Sequence, residues 1–331
     1  MAEPSESSAP GADVSVIIPT KNRLWSLPKA VASARSEKLR MQLIVVDDGS
    51  TDGTGEWLRT QPDVEVVEGE GWGKPWGVNK AVAKATGKYL RFLDSDDWLN
   101  PGAIELQFEM AERDGADVVV AGCDFCDDDE RPMGNEPWVK SDDFIAQQLG
   151  ETVSSTYLAF LFRRSFVADL PHRTLFPASD FASRDDRCYM LEVALRHPQV
   201  SICETRTVSV RLHKKPRLQF QLGLRRDGTH IQQLYIYKQI LSLLEQRGEL
   251  TERRRRAAAK MLWPLAHWIS YTHPREGADL AAWVYELDPS FNPPESGILG
   301  RLYRQAGFAR TEKILRMRRT ILGVLPKRGP A

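Results

Sequence analysis

The chain predicts an α/β fold, a mostly parallel, doubly wound sheet with helices on both faces, plus a helical appendage at the C-terminal end. Three observations predict it. Short apolar, β-branched runs such as VSVIIP (residues 14–19) and QLIVVD (42–47) lack polar alternation, as strands buried on both faces require. Stretches of helical period separate these runs, the pattern of parallel strands joined by crossover helices. The strands also end in acidic, threonine or turn residues, which gathers polar groups from distant segments beyond the carboxyl ends of the sheet, where such folds bind ligands.

Composition sets the outer limits. At 331 residues, 42% hydrophobic and 27% charged, the chain can bury a large core. Its 45 basic residues balance 45 acidic ones, so global charge gives no reason to expect nucleic acid as a partner. Residues 1–13 are small and polar and read as a disordered arm. No run approaches the ~18 apolar residues of a membrane span, so a soluble, cytoplasmic protein is expected. Cys123, Cys126, Cys188 and Cys203 are too few and scattered for a disulfide framework. Cys123 and Cys126 have redox or zinc spacing but no companion pair, and they end an apolar run that reads as a buried strand.

In order, a strand at 14–19 closes on Pro19 and is followed by the loop Thr20-Lys21-Asn22-Arg23 and an amphipathic helix over about 24–35. The strand at 42–47 runs into Asp47-Asp48-Gly49-Ser50-Thr51-Asp52-Gly53, where Asp47 and Asp52 read as turn or cap acids. A short strand at 64–67, a helix through 78–85, a strand at 89–93, a helix at 101–114 and a strand at 117–121 complete the alternation. Thr20, Asp48 and Asp94 then share one edge.

Residues 89–97 organise the rest. YLRFL breaks into Asp94-Ser95-Asp96-Asp97, three carboxylates in four residues at a strand end. Alone, this is either a solvated acidic turn capping the next helix or a site for a hard divalent cation, Mg²⁺ or Mn²⁺, that would neutralise a diphosphate.

VSVIIPTKNR, VVDDGSTDGT and LRFLDSDDWLNPGA, in this order and spacing, resemble the nucleotide-sugar-binding half of family 2 glycosyltransferases with the GT-A fold, over residues 14–124. The resemblance implies an inverting, metal-dependent transfer of a hexose, glucose being the first choice, from a UDP-sugar to an acceptor hydroxyl. It places Pro19, Thr20, Asn22 and Arg23 around the nucleotide and Asp48 against the uracil ring. Asp94, Ser95 and Asp96 meet ribose, diphosphate and metal, with Asp97 in support. One position departs from the family: Asn79 is kept, but Val78 stands where the family usually has Arg, and Lys74 is the nearby cation that could replace it. Trp72 and Trp76 suit either a sugar pocket or ordinary packing.

Residues 125–222 correspond to the family's acceptor-binding half, with a helix expected at 142–150 and a strand at 156–162. Asp185-Asp186 opens a helix running to about 197 and matches the acidic pair of the family. The resemblance implies Asp186 as general base, taking the proton of the attacking hydroxyl, with Asp185 beside it. A strand over 208–213 delivers Arg211 and His213, and His213 is implied as a further metal or diphosphate ligand.

The resemblance ends near residue 223. Residues 223–331 read as helices at 229–246, 252–267 and 278–285 and a basic tail from 310 to 325. A cationic helix of this kind fits either a solvated face that packs or dimerises, the ordinary reading and the one expected here, or peripheral contact with the inner membrane face. Two functions follow: the UDP-sugar transferase, acting on a small natural product such as an aminocyclitol antibiotic or on a cell-surface glycan precursor, or a non-catalytic nucleotide-sugar-binding protein of the same fold. The second is expected to lack the acidic motifs, which are present here. Acceptor and oligomeric state are not read from these residues.

Overall fold

Parallel pairing governs the first part of the chain because each strand there is followed by a helix that carries it back across the sheet. In the computed structural model, which describes residues 11–152, 156–172, 185–213 and 226–321, β1 (Val14–Thr20), α1 (Leu27–Ser33), β2 (Met41–Asp47), α2 (Thr54–Leu58), β3 (Val64–Glu68), α3 (Lys74–Lys84) and β4 (Tyr89–Phe92) follow one another. β1 pairs in parallel with β2 and with β4, and β2 with β3. Val16, Ile17, Ile18, Ile44 and Val45 are fully buried, as strands covered on both faces must be.

Beyond β4 the sheet is mixed. The two-residue β5 (Trp98–Leu99) leads through α4 (Ala103–Asp114) to β6 (Val118–Cys126), β7 (Pro132–Glu136), α5 (Phe144–Leu149), β8 (Leu161–Arg163), α6 (Arg164–Val167), α7 (Asp185–Ala194) and β9 (Val200–Arg211). The sheet order is β3-β2-β1-β4-β8-β6-β9-β5, with β7 on β6. β6 and β9 are parallel, whereas β8 is antiparallel to both β4 and β6.

Two boundaries differ from expectation for local reasons. The strand expected at 156–162 shrinks to β8, because the Thr156 side chain accepts a hydrogen bond from Leu158 N–H and folds Tyr157–Ala159 into a 3₁₀ turn. The strand expected to begin at 208 begins at Val200. Glu204, Thr205 and Arg206 are exposed where its register with β6 shifts between Ala121 and Cys123, and their polarity hides one continuous strand. All four cysteines are buried and unpaired with one another.

The chain divides into two units, Met1–Phe144 with Val153–Leu222, and Ile145–Thr152 with Gly223–Ala331. The second contains α8 (Arg226–Gln246), α9 (Glu252–Ser270), α10 (Pro274–Leu287), α11 (Gly297–Ala306) and α12 (Phe308–Ile321). α11 is additional to the expected helices. Trp263 is its hub, buried and ringed by His267, Tyr285, Phe291, Tyr303 and Phe308. The part of the basic tail after Ile321 lies outside the described residues. Among the described residues no helix is long and apolar enough to cross a membrane.

Candidate active site

Register brings the three motifs to one edge. Thr20 pairs with Asp47, Asp48 N–H donates to Thr20 O at 3.0 Å, and Ile17 pairs with Phe92, so the chain leaves β1, β2 and β4 side by side. Pro19 sits within the β1–β2 ladder, and Thr20 is buried with its hydroxyl unpartnered among the described residues.

Oxygens of Asp94, Asp96 and Asp97 lie within 4.8 Å of one another. Two protein cations and a histidine surround them. Lys74 Nζ is 2.6 Å from Asp94 Oδ1, Arg23 Nε 3.5 Å from Asp96 Oδ2, and His213 Nε2 2.9 Å from that same oxygen. Burial opposes ionisation of Asp96, but the His213 hydrogen bond and Arg23 hold its carboxyl below the usual range. Asp97 is pushed the other way, well upward, first by burial and then by the charges of Asp96 and Asp94. Its Oδ1 accepts the Arg211 N–H at 2.9 Å, which ties the end of β9 to the cluster. Asp97 is therefore a full member of the trio, a place its spacing from Asp94 already signalled. Three carboxyl groups gathered this closely offer the hard oxygen donors that suit a divalent cation.

Asp48 fastens the glycine-rich loop. Its carboxylate accepts Gly71 N–H at 2.8 Å and Gly73 N–H at 3.3 Å, with Lys21 Nζ 3.8 Å away. The loop comes this close because a Cβ on Gly69 would stand 2.6 Å from Asp48 Oδ1. Gly73, with φ 94°, starts α3, so Lys74 enters the crevice from its first turn. Val78, one turn further on the helix, is buried. Trp72 and Trp76 are exposed and meet edge to face at 6.0 Å.

Several residues expected around the donor hold the frame. Asn22, at φ 54°, accepts Thr51 N–H through Oδ1 at 2.7 Å and donates its own N–H to Ser50, joining the first two loops. Asn79, expected at the donor, is anchored to the His172 backbone: its amide donates to His172 O at 2.6 Å and accepts His172 N–H at 2.7 Å. Ser95 is buried, and its carbonyl accepts from Ser26 Oγ at 2.8 Å. Asp47 and Asp52 serve the turn, accepting Ser50 N–H, and Leu24 and Thr54 N–H.

At the start of α7 the acidic pair divides. Asp185 is buried, with Oδ2 unpartnered among the described residues, and burial raises its carboxyl to about 7 against the pull of Lys74 and with help from Asp186 and Asp94. Asp186 is exposed, its Oδ1 accepting Arg187 N–H at 2.7 Å. Burial lowers the Lys74 ammonium, but Asp94, Tyr157 and Asp185 outweigh this and keep it well above its ordinary value. Beside it, His172 stacks on Tyr189 at 4.0 Å and is held neutral, at about 3, by burial and by Lys74. Nothing in the sequence around His172 marked it.

A mixed α/β sheet whose parallel strands end in acidic residues facing a half-buried lysine has a polar crevice beyond those carboxyl ends, where such folds bind ligands. Residues 15–170 match the family model Glycosyl transferase family 2. The fold is that of Staphylococcus aureus TarS residues 1–349, solved with UDP-GlcNAc, at a TM-score of 0.61 and 17% identity over 94% of this chain and 92% of that one. Residues 15–170 thus form a glycosyltransferase family 2 domain. Among curated relatives, the uncharacterized glycosyltransferase YibD of Escherichia coli K12 is 30% identical over 34% of this chain, and the succinoglycan biosynthesis protein ExoU of Rhizobium meliloti 32% identical over 37%. The matches span about a third of each relative, 34% and 36%.

Proposed function

We propose that the protein transfers a hexose from a UDP-sugar to an acceptor hydroxyl with inversion. The observation that carries this reading is the meeting of Thr20, Asp48 and the Asp94–Asp96–Asp97 trio at one sheet edge with Lys74 and Arg23 between them. That TarS was solved with UDP-GlcNAc supports a UDP-linked donor. The name of ExoU supports a cell-surface glycan precursor over a small natural product as acceptor.

In this reading Asp94, Asp96 and His213 hold Mn²⁺ or Mg²⁺, whose chemistry is to neutralise charge on the departing diphosphate. Lys74 supplies, from the preceding turn of α3, the cation that Val78 cannot. Thr20 and Asp48 lie against the nucleotide, and Asp48 also fixes the loop carrying Lys74. Asp186 is the general base: it is exposed, so an acceptor hydroxyl can reach it, and it takes the proton as that oxygen attacks the anomeric carbon opposite the leaving group. Asp185, enclosed beside Lys74, positions this cation.

Mass spectrometry of UDP release from a panel of UDP-hexoses, UDP-glucose first, with Mn²⁺ and with EDTA, tests the reading. Metal-dependent turnover of at least one donor is expected. Binding of UDP without turnover of any donor, even with glycan acceptors added, would point instead to a non-catalytic binding protein.

A further inference from the structure

The two basic stretches of the helical unit differ. Each arginine of the run 253–256 faces an acid: Arg253 pairs with Glu151, Arg254 with Glu249, Arg255 with Glu245 and Arg256 with Glu252. α12 is built otherwise. Its inner face carries Phe308, Thr311 and Glu312, all buried, with Glu312 accepting from Tyr303 OH at 2.6 Å and lying 2.8 Å from His267 Nδ1. At about 100° per residue, Arg310, Lys313, Ile314, Met317 and Arg318 fall on one outward arc of about 140°. All five are exposed, Ile314 by 47% and Met317 by 57%. The arc holds no acidic side chain, and among the described residues Arg310, Lys313 and Arg318 have no ion-pair partner.

We propose that this face of α12 rests on an anionic lipid surface, with Ile314 and Met317 entering between headgroups and the three cations meeting lipid phosphates. Charge complementarity selects this occupant. Nucleic acid would satisfy the cations but leave both apolar side chains in water, and a second copy of the same face would set cation against cation. The inference does not depend on the donor site, so it can fail while UDP binding stands, and the reverse.

The test is co-sedimentation of the full chain with vesicles of phosphatidylcholine alone or mixed with phosphatidylglycerol, at low and high salt. Binding is expected only to the mixed vesicles and only at low salt. Replacing Arg310, Lys313 and Arg318 together by Gln should weaken it on the order of 100-fold, since each cation near an anionic surface contributes roughly a factor of five. Ile314→Ser with Met317→Ser should weaken it several-fold. Circular dichroism and UDP affinity of the variants, both expected unchanged, separate this loss from misfolding. No binding by the parent at low salt, equal binding to neutral vesicles, vesicle binding untouched by the triple substitution, or a dimer abolished by Ile314→Ser with Met317→Ser would each overturn the proposal.

Discussion

The trio after β4 and the pair opening α7 are both clusters of neighbouring carboxylates, yet the protein surrounds them in opposite ways. Around Asp94, Asp96 and Asp97 it assembles the cations Lys74 and Arg23 and a hydrogen bond from His213, so the charge of Asp94 and Asp96 is faced by partners. At the pair it separates the two groups, enclosing Asp185 and exposing Asp186. The difference teaches that clustered acids are assigned by what faces them: partnered charge suits holding a cation and a diphosphate, and a lone exposed carboxylate suits taking a proton.

The comparison breaks most readily at Asp186. Asp186→Asn should lower transfer by roughly 10²- to 10⁴-fold while leaving UDP affinity within about a factor of two, because general-base catalysis contributes on that scale and the donor-side charge is unchanged. Turnover and calorimetric UDP affinity on the same preparation check it. A normal rate would take the pair out of the mechanism.

Asp185 gives the next effect, on stability. Its folded-state carboxyl is raised to about 7, so between the ordinary carboxylate range and about 7 the folded state binds a proton that the unfolded chain has released. Stability from this group is therefore present at low pH and lost as pH rises through that window, by on the order of 2–4 kcal/mol. Thermal unfolding should show the parent losing more stability than Asp185→Asn between about pH 5 and pH 7.5. Parallel pH profiles would mean that Asp185 is not enclosed as described.

A smaller effect is expected at Lys74. Lys74→Met removes the cation opposite Asp94 and should weaken UDP about tenfold in EDTA while tightening Mn²⁺ binding, since a charge-assisted contact is lost and one competitor for Asp94 leaves. Calorimetry with each ligand alone measures both. Weakening of both would show Lys74 to be structural.

Much of this site was legible because it is written in short, local runs. VSVIIPT, VVDDG and LRFLDSDD each contain both a buried strand and the polar residues at its end, so the edge they share follows from the sheet alone. What was not legible depends on distant partners. Nothing near Asn79 shows that its amide closes on the backbone of His172, and nothing in the run 253–256 shows that Glu151, Glu245 and Glu249 come back to meet it. For the same reason α12 could not be told from that run by composition. One basic stretch is neutralised from elsewhere, and the other is left facing outward.

UDP affinity measured by calorimetry in Mn²⁺ and in EDTA, for the parent and for Asp96→Asn, tests the donor site most directly. The account predicts that Mn²⁺ strengthens binding to the parent, that Asp96→Asn loses this gain, and that the two bind UDP alike in EDTA, because Asp96 acts by holding the cation that meets the diphosphate. Equal affinity of parent and variant in Mn²⁺, or a parent indifferent to Mn²⁺, would contradict it.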